Sequence, residues 1–194
     1  DIQGPSGVDV ATTIGEFIPR NGLALTSERE MLPVFEAIAA RRNTELSIVG
    51  PERELAIPDD MLARFPYNEH PRNIALVAEL AARLGIDREF AIFAMADHVV
   101  PDLGVLKEYP AVNILGRDIR FINGCSANER AGFMNNWKRM NLEEVGRRAG
   151  ATEQVFTVVN NRADRVPRSM VFADILVRDN AVDRHVLICT NLSG

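Results

Sequence analysis

Arg120-Phe121-Ile122-Asn123-Gly124-Cys125-Ser126-Ala127-Asn128 is the stretch on which the reading of this chain turns. A short apolar run stops at small and polar residues, and Asn128 stands where a helix N-cap belongs. Phe133, Met134, Trp137 and Met140 follow at the spacing of one helical face. The stretch reads strand, polar turn, helix. That order turns backbone N–H groups and the positive end of a helix dipole toward whatever binds there, usually an anion. The pattern repeats. Gln154 to Val159 reads as a buried strand ending in Asn160-Asn161-Arg162-Ala163-Asp164-Arg165, with an amphipathic segment from about Arg168 to Val177. His185 to Cys189 reads as a third strand, ending in Thr190-Asn191-Leu192-Ser193-Gly194. Strand and helix alternating with short links imply a parallel sheet with right-handed crossovers. Ligands bind beyond the carboxyl ends of such strands, so the polar strand ends are the candidate site.

Residues 121–128, then Asn136-Trp137-Lys138-Arg139, then Asn161-Arg162-Ala163-Asp164-Arg165-Val166, closely resemble the ATP-dependent subunits of bacterial poly-γ-glutamate synthases, which serve capsule biosynthesis. These belong to the Mur ligase and folylpolyglutamate synthetase superfamily. The likeness lies in unusual words in the right order and extends thinly over almost the whole chain. It implies an α/β fold. Residues 1–98 would be the end of a central ATPase domain, 99–117 a linker, and 118–194 the first βαβαβ part of a Rossmann-like C-terminal domain.

Composition agrees with a globular α/β chain. The 194 residues are 46% hydrophobic and 25% charged, and suffice for one large domain or two small ones. A net charge of −5 with no basic run argues against a nucleic-acid binder. No apolar stretch approaches a membrane span. Cys125 and Cys189 read as reduced thiols, and the scattered His and Cys give no zinc spacing.

Other elements follow from local signals. Asp1 to Ser6 reads as a polar start with a Gly4-Pro5 turn. Residues 9–18 read as a helix with Val10, Ile14, Phe17 and Ile18 on one face. Leu23-Ala24-Leu25 and Glu45 to Val49 read as strands. Ser27-Glu28-Arg29-Glu30 reads as a capping box opening a helix with Met31, Val34, Phe35 and Ile38. Asn68-Glu69-His70-Pro71 opens a helix with Ile74, Val77, Leu80, Ala81 and Leu84 on its stripe, which Gly85 ends. Asp87 caps its partner, with Phe90, Ala91, Phe93 and Ala94. Val99 to Arg117 reads as a linker.

The resemblance implies the chemistry. ATP activates a carboxylate as an acyl phosphate, and the amine of the incoming glutamate displaces phosphate to form an amide, with Mg²⁺ on the phosphates. Asn73, with His70 beside it, would meet the adenine ring. Lys107 would touch the nucleotide, and Asn123 would stand at the ribose hydroxyls in place of an Asp. Cys125 replaces a Lys that some relatives place near the γ-phosphate. Ser126 and Asn128 would bind the glutamate carboxylate or the terminal phosphate. Arg162 and Arg165 would clamp a carboxylate, since a guanidinium reads one bidentately. Asp164 would hold an Arg or bind the amino group. Trp137 is expected in the core, and Asp59-Asp60 and Glu143-Glu144 as solvated charges. No metal site is expected from this chain's own residues.

The sequence has no Gly-Lys-Ser/Thr phosphate loop. The chain is therefore expected to be the rear half of a ligase, inactive alone. A second reading is a non-catalytic binding module of a synthase complex. A third, a nicotinamide-dependent enzyme, lacks the Gly-x-Gly-x-x-Gly turn. Implied partners are glutamate, the poly-γ-glutamate chain and small membrane subunits at the inner face of the cell membrane. The implied location is cytoplasmic and peripheral, and a homo-oligomer is left open.

Overall fold

A computed structural model describes residues 6–145, 152–179 and 182–189. The Gly4-Pro5 turn and the polar end Thr190 to Gly194 lie outside the described residues. The chain divides into two compact units, Asp1–Asp102 and Leu103–Gly194.

The first unit holds α1 (Gly7–Gly15), β1 (Leu23–Thr26), α2 (Leu32–Arg41), β2 (Glu45–Ile48), α3 (Pro51–Leu55), α4 (Asp59–Leu62), α5 (Pro71–Arg83) and α6 (Arg88–His98). β1 and β2 pair in parallel, Leu23 opposite Glu45, with α2 as the crossover. A capping box does occur, but at the start of α1. Ser6 Oγ accepts from the Asp9 N–H, and the Asp9 carboxylate accepts from the Ser6 N–H.

The box expected at Ser27–Glu30 is a different device. Thr26 Oγ1 accepts from the Glu28 N–H at 3.0 Å, and the Glu28 carboxylate accepts from the N–H groups of Arg29, Glu30 and Met31. α2 begins only at Leu32, next to Pro33, whose missing N–H costs nothing in a first turn. Desolvation pushes the Glu28 carboxyl up, but its backbone donors and the charge of Arg72 together outweigh it and hold the pKa below the usual value. A group lowered on folding contributes stability above its unfolded pKa and loses it as pH falls through the folded one. Glu28→Gln is therefore expected to destabilise near neutrality, with the gap from wild type closing on acidification. Urea melts across that range check it.

Small residues form the helix contacts of this unit. On α1 the buried positions are Ala11, Gly15 and the following Ile18, while Ile14 and Phe17 are exposed. A Cβ on Gly15 would lie 2.2 Å from Ile38 Cδ1, so α1 approaches α2 more closely than a larger residue permits. On α5 the buried face is Ile74, Ala75 and Ala78, and the expected stripe members Val77, Leu80 and Leu84 are exposed. α5 ends as expected. Gly85 sits at φ 81°. Its N–H reaches the Ala82 carbonyl and that of Ile86 the Ala81 carbonyl, a Schellman motif. Asp87 caps α6 by accepting from the Phe90 N–H at 2.9 Å, yet Phe90 itself is exposed.

The second unit holds β3 (Lys107–Glu108), β4 (Val112–Ile114), β5 (Arg117–Ile119), β6 (Ile122–Asn123), α7 (Arg130–Arg139), α8 (Leu142–Val145), β7 (Phe156–Asn161), α9 (Val166–Arg178) and β8 (Arg184–Cys189). The stretch expected as an irregular linker carries β3 and a hairpin. β4 and β5 pair antiparallel around Leu115 and Gly116, both at positive φ, as a two-residue turn of that hand requires.

The expected sheet of three parallel strands is corrected in part. β7 and β8 are parallel and in register, Phe156 opposite Arg184. β6 instead pairs antiparallel with β3, Asn123 opposite Lys107, and the Tyr109 N–H extends that ladder to the Phe121 carbonyl. Phe156 and Val158, read as part of a buried strand, are about half exposed.

α7 and α9 pack through Phe133 and Phe172, whose rings meet edge to face at 5.6 Å. Trp137 is buried and stacks on Phe133. Arg130, in the first turn of α7, pairs with Asp174 of α9 and with Asp179, the C-cap of that helix, and Asp174 also takes Arg178. A cation at a helix start is unfavourable alone, and these two acids compensate it. Arg130→Ala is expected to cost roughly 1 kcal/mol, as for partly exposed pairs. A double-mutant cycle with Asp179→Asn should show coupling that shrinks in high salt, and no coupling in low salt would remove this role.

Candidate functional site

In the second unit the polar turn after β6 is tied down by its own side chains. Asn123 is buried, 8% exposed. Its Nδ2 donates to the Leu103 carbonyl at 2.7 Å and its Oδ1 accepts from the Cys125 N–H at 3.2 Å. The amide expected at the ribose thus spends one donor and one lone pair holding its own loop. The Ser126 N–H donates to the Gly104 carbonyl at 2.8 Å, and its side chain is exposed. Lys107 lies across the ladder from Asn123, inside an ordered strand, with Nζ 5.4 Å from the centre of the Tyr109 ring.

The N-cap of α7 is Glu129, one residue beyond the expected Asn128, and Glu129 makes no side-chain cap. Asn128 is committed elsewhere. Its Nδ2 donates to the Ser126 carbonyl at 3.0 Å, and its Oδ1 accepts from Arg168 Nη1 at 3.0 Å. The turn after β6 is thereby joined to the first turn of α9. Arg168 was not legible as a site residue. Its only sequence signal is its place three residues after Arg165, one helical turn along.

β7 runs two residues further than expected, through Asn161, and Arg162, Asp164 and Arg165 fill the turn into α9. Arg162 and Asp164 form a two-pronged pair, Nε to Oδ1 at 2.9 Å and Nη2 to Oδ2 at 2.7 Å. The hydrogen bond to Arg162 holds the Asp164 carboxyl below the usual range and raises Arg162 in turn. Both are exposed, so water screens much of the pairing. Arg165, the N-cap residue of α9, lies near enough to add to the lowering of Asp164, yet no hydrogen bond or ion pair engages its guanidinium among the described residues.

In the first unit His70 is the N-cap of α5. Its Nδ1 accepts from the Arg72 N–H at 3.2 Å. Asn73 lies one turn on. Its Nδ2 donates to Glu69 Oε1 at 2.9 Å, and the same oxygen takes the His70 N–H at 2.7 Å. The other oxygen of Glu69 accepts from the Tyr67 hydroxyl at 2.7 Å. Burial, then the Glu69 carboxylate, push the Tyr67 phenol up to about 12, so it stays a donor. Asn73 stands on the rim of a largely apolar groove of about 470 Å³ lined by Phe65, Tyr67, Ile74, Met95 and Val99 among others. That volume is within the range of about 300–1,000 Å³ for small-molecule sites.

Among the described residues no group of three or more His, Cys, Asp or Glu could hold a metal ion. Cys125 and Cys189 are free thiols. No helix among the described residues is long and apolar enough to cross a membrane.

A largely apolar groove with a few polar groups on its rim has the make-up of small-molecule sites, and an exposed guanidinium suits a carboxylate or phosphate. Residues 109–194 match the family described as the poly-gamma-glutamate synthase CapB C-terminal domain. Over 174 residues the chain is 32% identical to the PGA synthase CapB of Bacillus subtilis (strain 168), covering 90% of this chain and 42% of that protein. It is also 32% identical over 177 residues to the capsule biosynthesis protein CapB of Bacillus anthracis, covering 91% of this chain and 36% of that protein. The chain thus spans under half the length of either relative. No solved structure matches it.

Proposed function

We propose that this chain takes part in poly-γ-glutamate synthesis, as part of an ATP-dependent amide ligase of the Mur type that joins glutamate units through an acyl phosphate. The observation that carries this reading is the match, over nine tenths of the chain, to two proteins named for that synthesis and for capsule biosynthesis. The polar clusters support it. The groove beside Asn73 suits the adenine ring, with His70 fixing the start of the helix that presents it. In the second unit Lys107 would meet a nucleotide, and Asn123, its neighbour across the ladder, acts by holding its own turn.

At the arginine-rich strand end the roles divide. Asp164 holds the Arg162 fork, and Arg165 keeps its own fork for a carboxylate. Ser126 offers an exposed hydroxyl. Asn128 acts by tying its turn to α9. ATP would supply the phosphoryl group that activates the acceptor carboxylate. Mg²⁺ would accompany it, and among the described residues no cluster of His, Cys, Asp or Glu could hold the ion. The partners would be glutamate, the growing polymer and membrane subunits of a synthase, at the cytoplasmic face of the membrane.

The test is to incubate the intact protein with ATP, magnesium and glutamate, and to follow nucleotide and polymer together. ADP and phosphate should form in step with γ-linked product, and hydroxylamine should trap the activated carboxylate as a hydroxamate. Release of AMP and pyrophosphate instead would rule out the acyl phosphate.

A further inference from the structure

We infer that Glu69, braced by Tyr67, is a positioning residue that locks the Asn73 amide so that the groove accepts a 6-aminopurine and rejects a 6-oxopurine. The inference rests on the ATP reading above and deepens it by assigning the base selectivity.

A carboxylate oxygen only accepts hydrogen bonds. The group that Asn73 turns to Glu69 Oε1 must therefore be its NH₂, at 2.9 Å. A flipped amide would set Oδ1 against the carboxylate, oxygen to oxygen. Glu69 cannot swing aside to permit that flip at low cost. The Tyr67 hydroxyl holds its Oε2 at 2.7 Å, and the His70 N–H holds its Oε1 at 2.7 Å. The high pKa of Tyr67 keeps that hydroxyl protonated at any working pH.

With one N–H committed, Asn73 has left its acceptor Oδ1, which takes no hydrogen bond among the described residues, and its second N–H. That edge, one acceptor beside one donor, matches the N6 amino group and N1 on the Watson–Crick edge of adenine. A 6-oxopurine presents the reverse pattern there, the acceptor O6 beside the donor N1–H. It would leave Oδ1 facing a carbonyl oxygen, and the amide cannot turn to suit it while Glu69 stands. The groove that Asn73 borders is apolar enough to take the flat ring.

The experiment compares ATP with inosine triphosphate, which carries a 6-oxo group, by calorimetric titration of the intact protein and its Glu69→Gln and Tyr67→Phe variants. The Glu69→Gln change keeps the size of the side chain but can turn an NH₂ to a flipped Asn73 amide, so the flip costs the His70 N–H its partner and no longer sets an oxygen against a carboxylate. The wild type is expected to prefer ATP by roughly tenfold or more. E69Q is expected to bring that ratio below about threefold, chiefly by tighter binding of inosine triphosphate, with Y67F between the two. A general loosening of the fold would weaken both nucleotides and leave their ratio alone. An E69Q ratio equal to that of the wild type, or a wild type that binds both nucleotides equally, overturns the inference and leaves the ATP reading standing. A wild type that binds neither nucleotide overturns the ATP reading, and the inference with it.

Discussion

On the proposed reading as a glutamate ligase, Arg165→Ala is expected to lower kcat/KM for glutamate by roughly 10- to 100-fold, the loss of one charge-assisted hydrogen bond to a carboxylate. The effect should fall on the KM for glutamate, with the KM for ATP within about twofold, because a contact made in ground and transition states alike is uniform binding. The structure separates this residue from its neighbour. Arg162 already spends Nε and Nη2 on Asp164, whereas the Arg165 guanidinium has no hydrogen bond or ion pair among the described residues. Arg162→Ala should therefore cost less than Arg165→Ala. Asp164→Asn, which weakens the hold on the Arg162 fork, should partly restore glutamate binding to the Arg165→Ala enzyme. Steady-state kinetics of the intact enzyme with varied glutamate measure all three. Equal losses at both arginines, with no help from Asp164→Asn, would show that the pair works as one unit.

The largest expected loss of stability is at Ile175. It is fully buried within α9, on the helix that pairs with α7 through Phe172 and Asp174. Ile175→Ala removes three carbons from that site and leaves a cavity. The expected cost is about 2–5 kcal/mol, against about 0.5–1.5 kcal/mol for Ile175→Val. For a unit of this size the alanine change corresponds to a fall in Tm of roughly 10 °C or more. Thermal melts followed through Trp137 fluorescence report on it directly, since that ring lies in the same unit and stacks on Phe133. A loss no larger than that of the valine variant would mean that α9 contributes little to the second unit.

Around α5 and α6 the capping signals were legible in the residues themselves, unlike those at Ser27 and Asn128. His70 and Pro71 open α5, Gly85 closes it, and Asp87 opens α6, as expected. These devices act within a few residues of chain, and the side chain that satisfies the backbone is named in the sequence. The β7–α9–β8 crossover was legible too, because strand and helix periods differ and the links are short.

Which face of a helix is buried was less legible. Apolar period pointed to Ile14 and Phe17, and to Val77, Leu80 and Leu84, yet Ala11, Gly15, Ala75 and Ala78 are inside. A close helix approach selects small side chains, which a hydrophobic stripe does not register.

The candidate site divides along the same line. The polar character of the strand ends, and the arginines after β7, stand in the sequence. Which of their atoms remain available was decided by tertiary partners. Asn123 is spent on Leu103, twenty residues back. Asn128 meets Arg168, forty residues on. β6 pairs with β3 because the stretch before it is ordered, and not with the parallel strands that follow. Hydrogen bonding saturates: a donor or acceptor used across a long stretch of chain is no longer offered to a ligand. By itself the sequence determined the kinds of groups this protein carries and some of the local devices that start and stop its elements. The tertiary structure alone decided which groups meet, since contacts between distant residues follow from packing and pairing and not from local spacing.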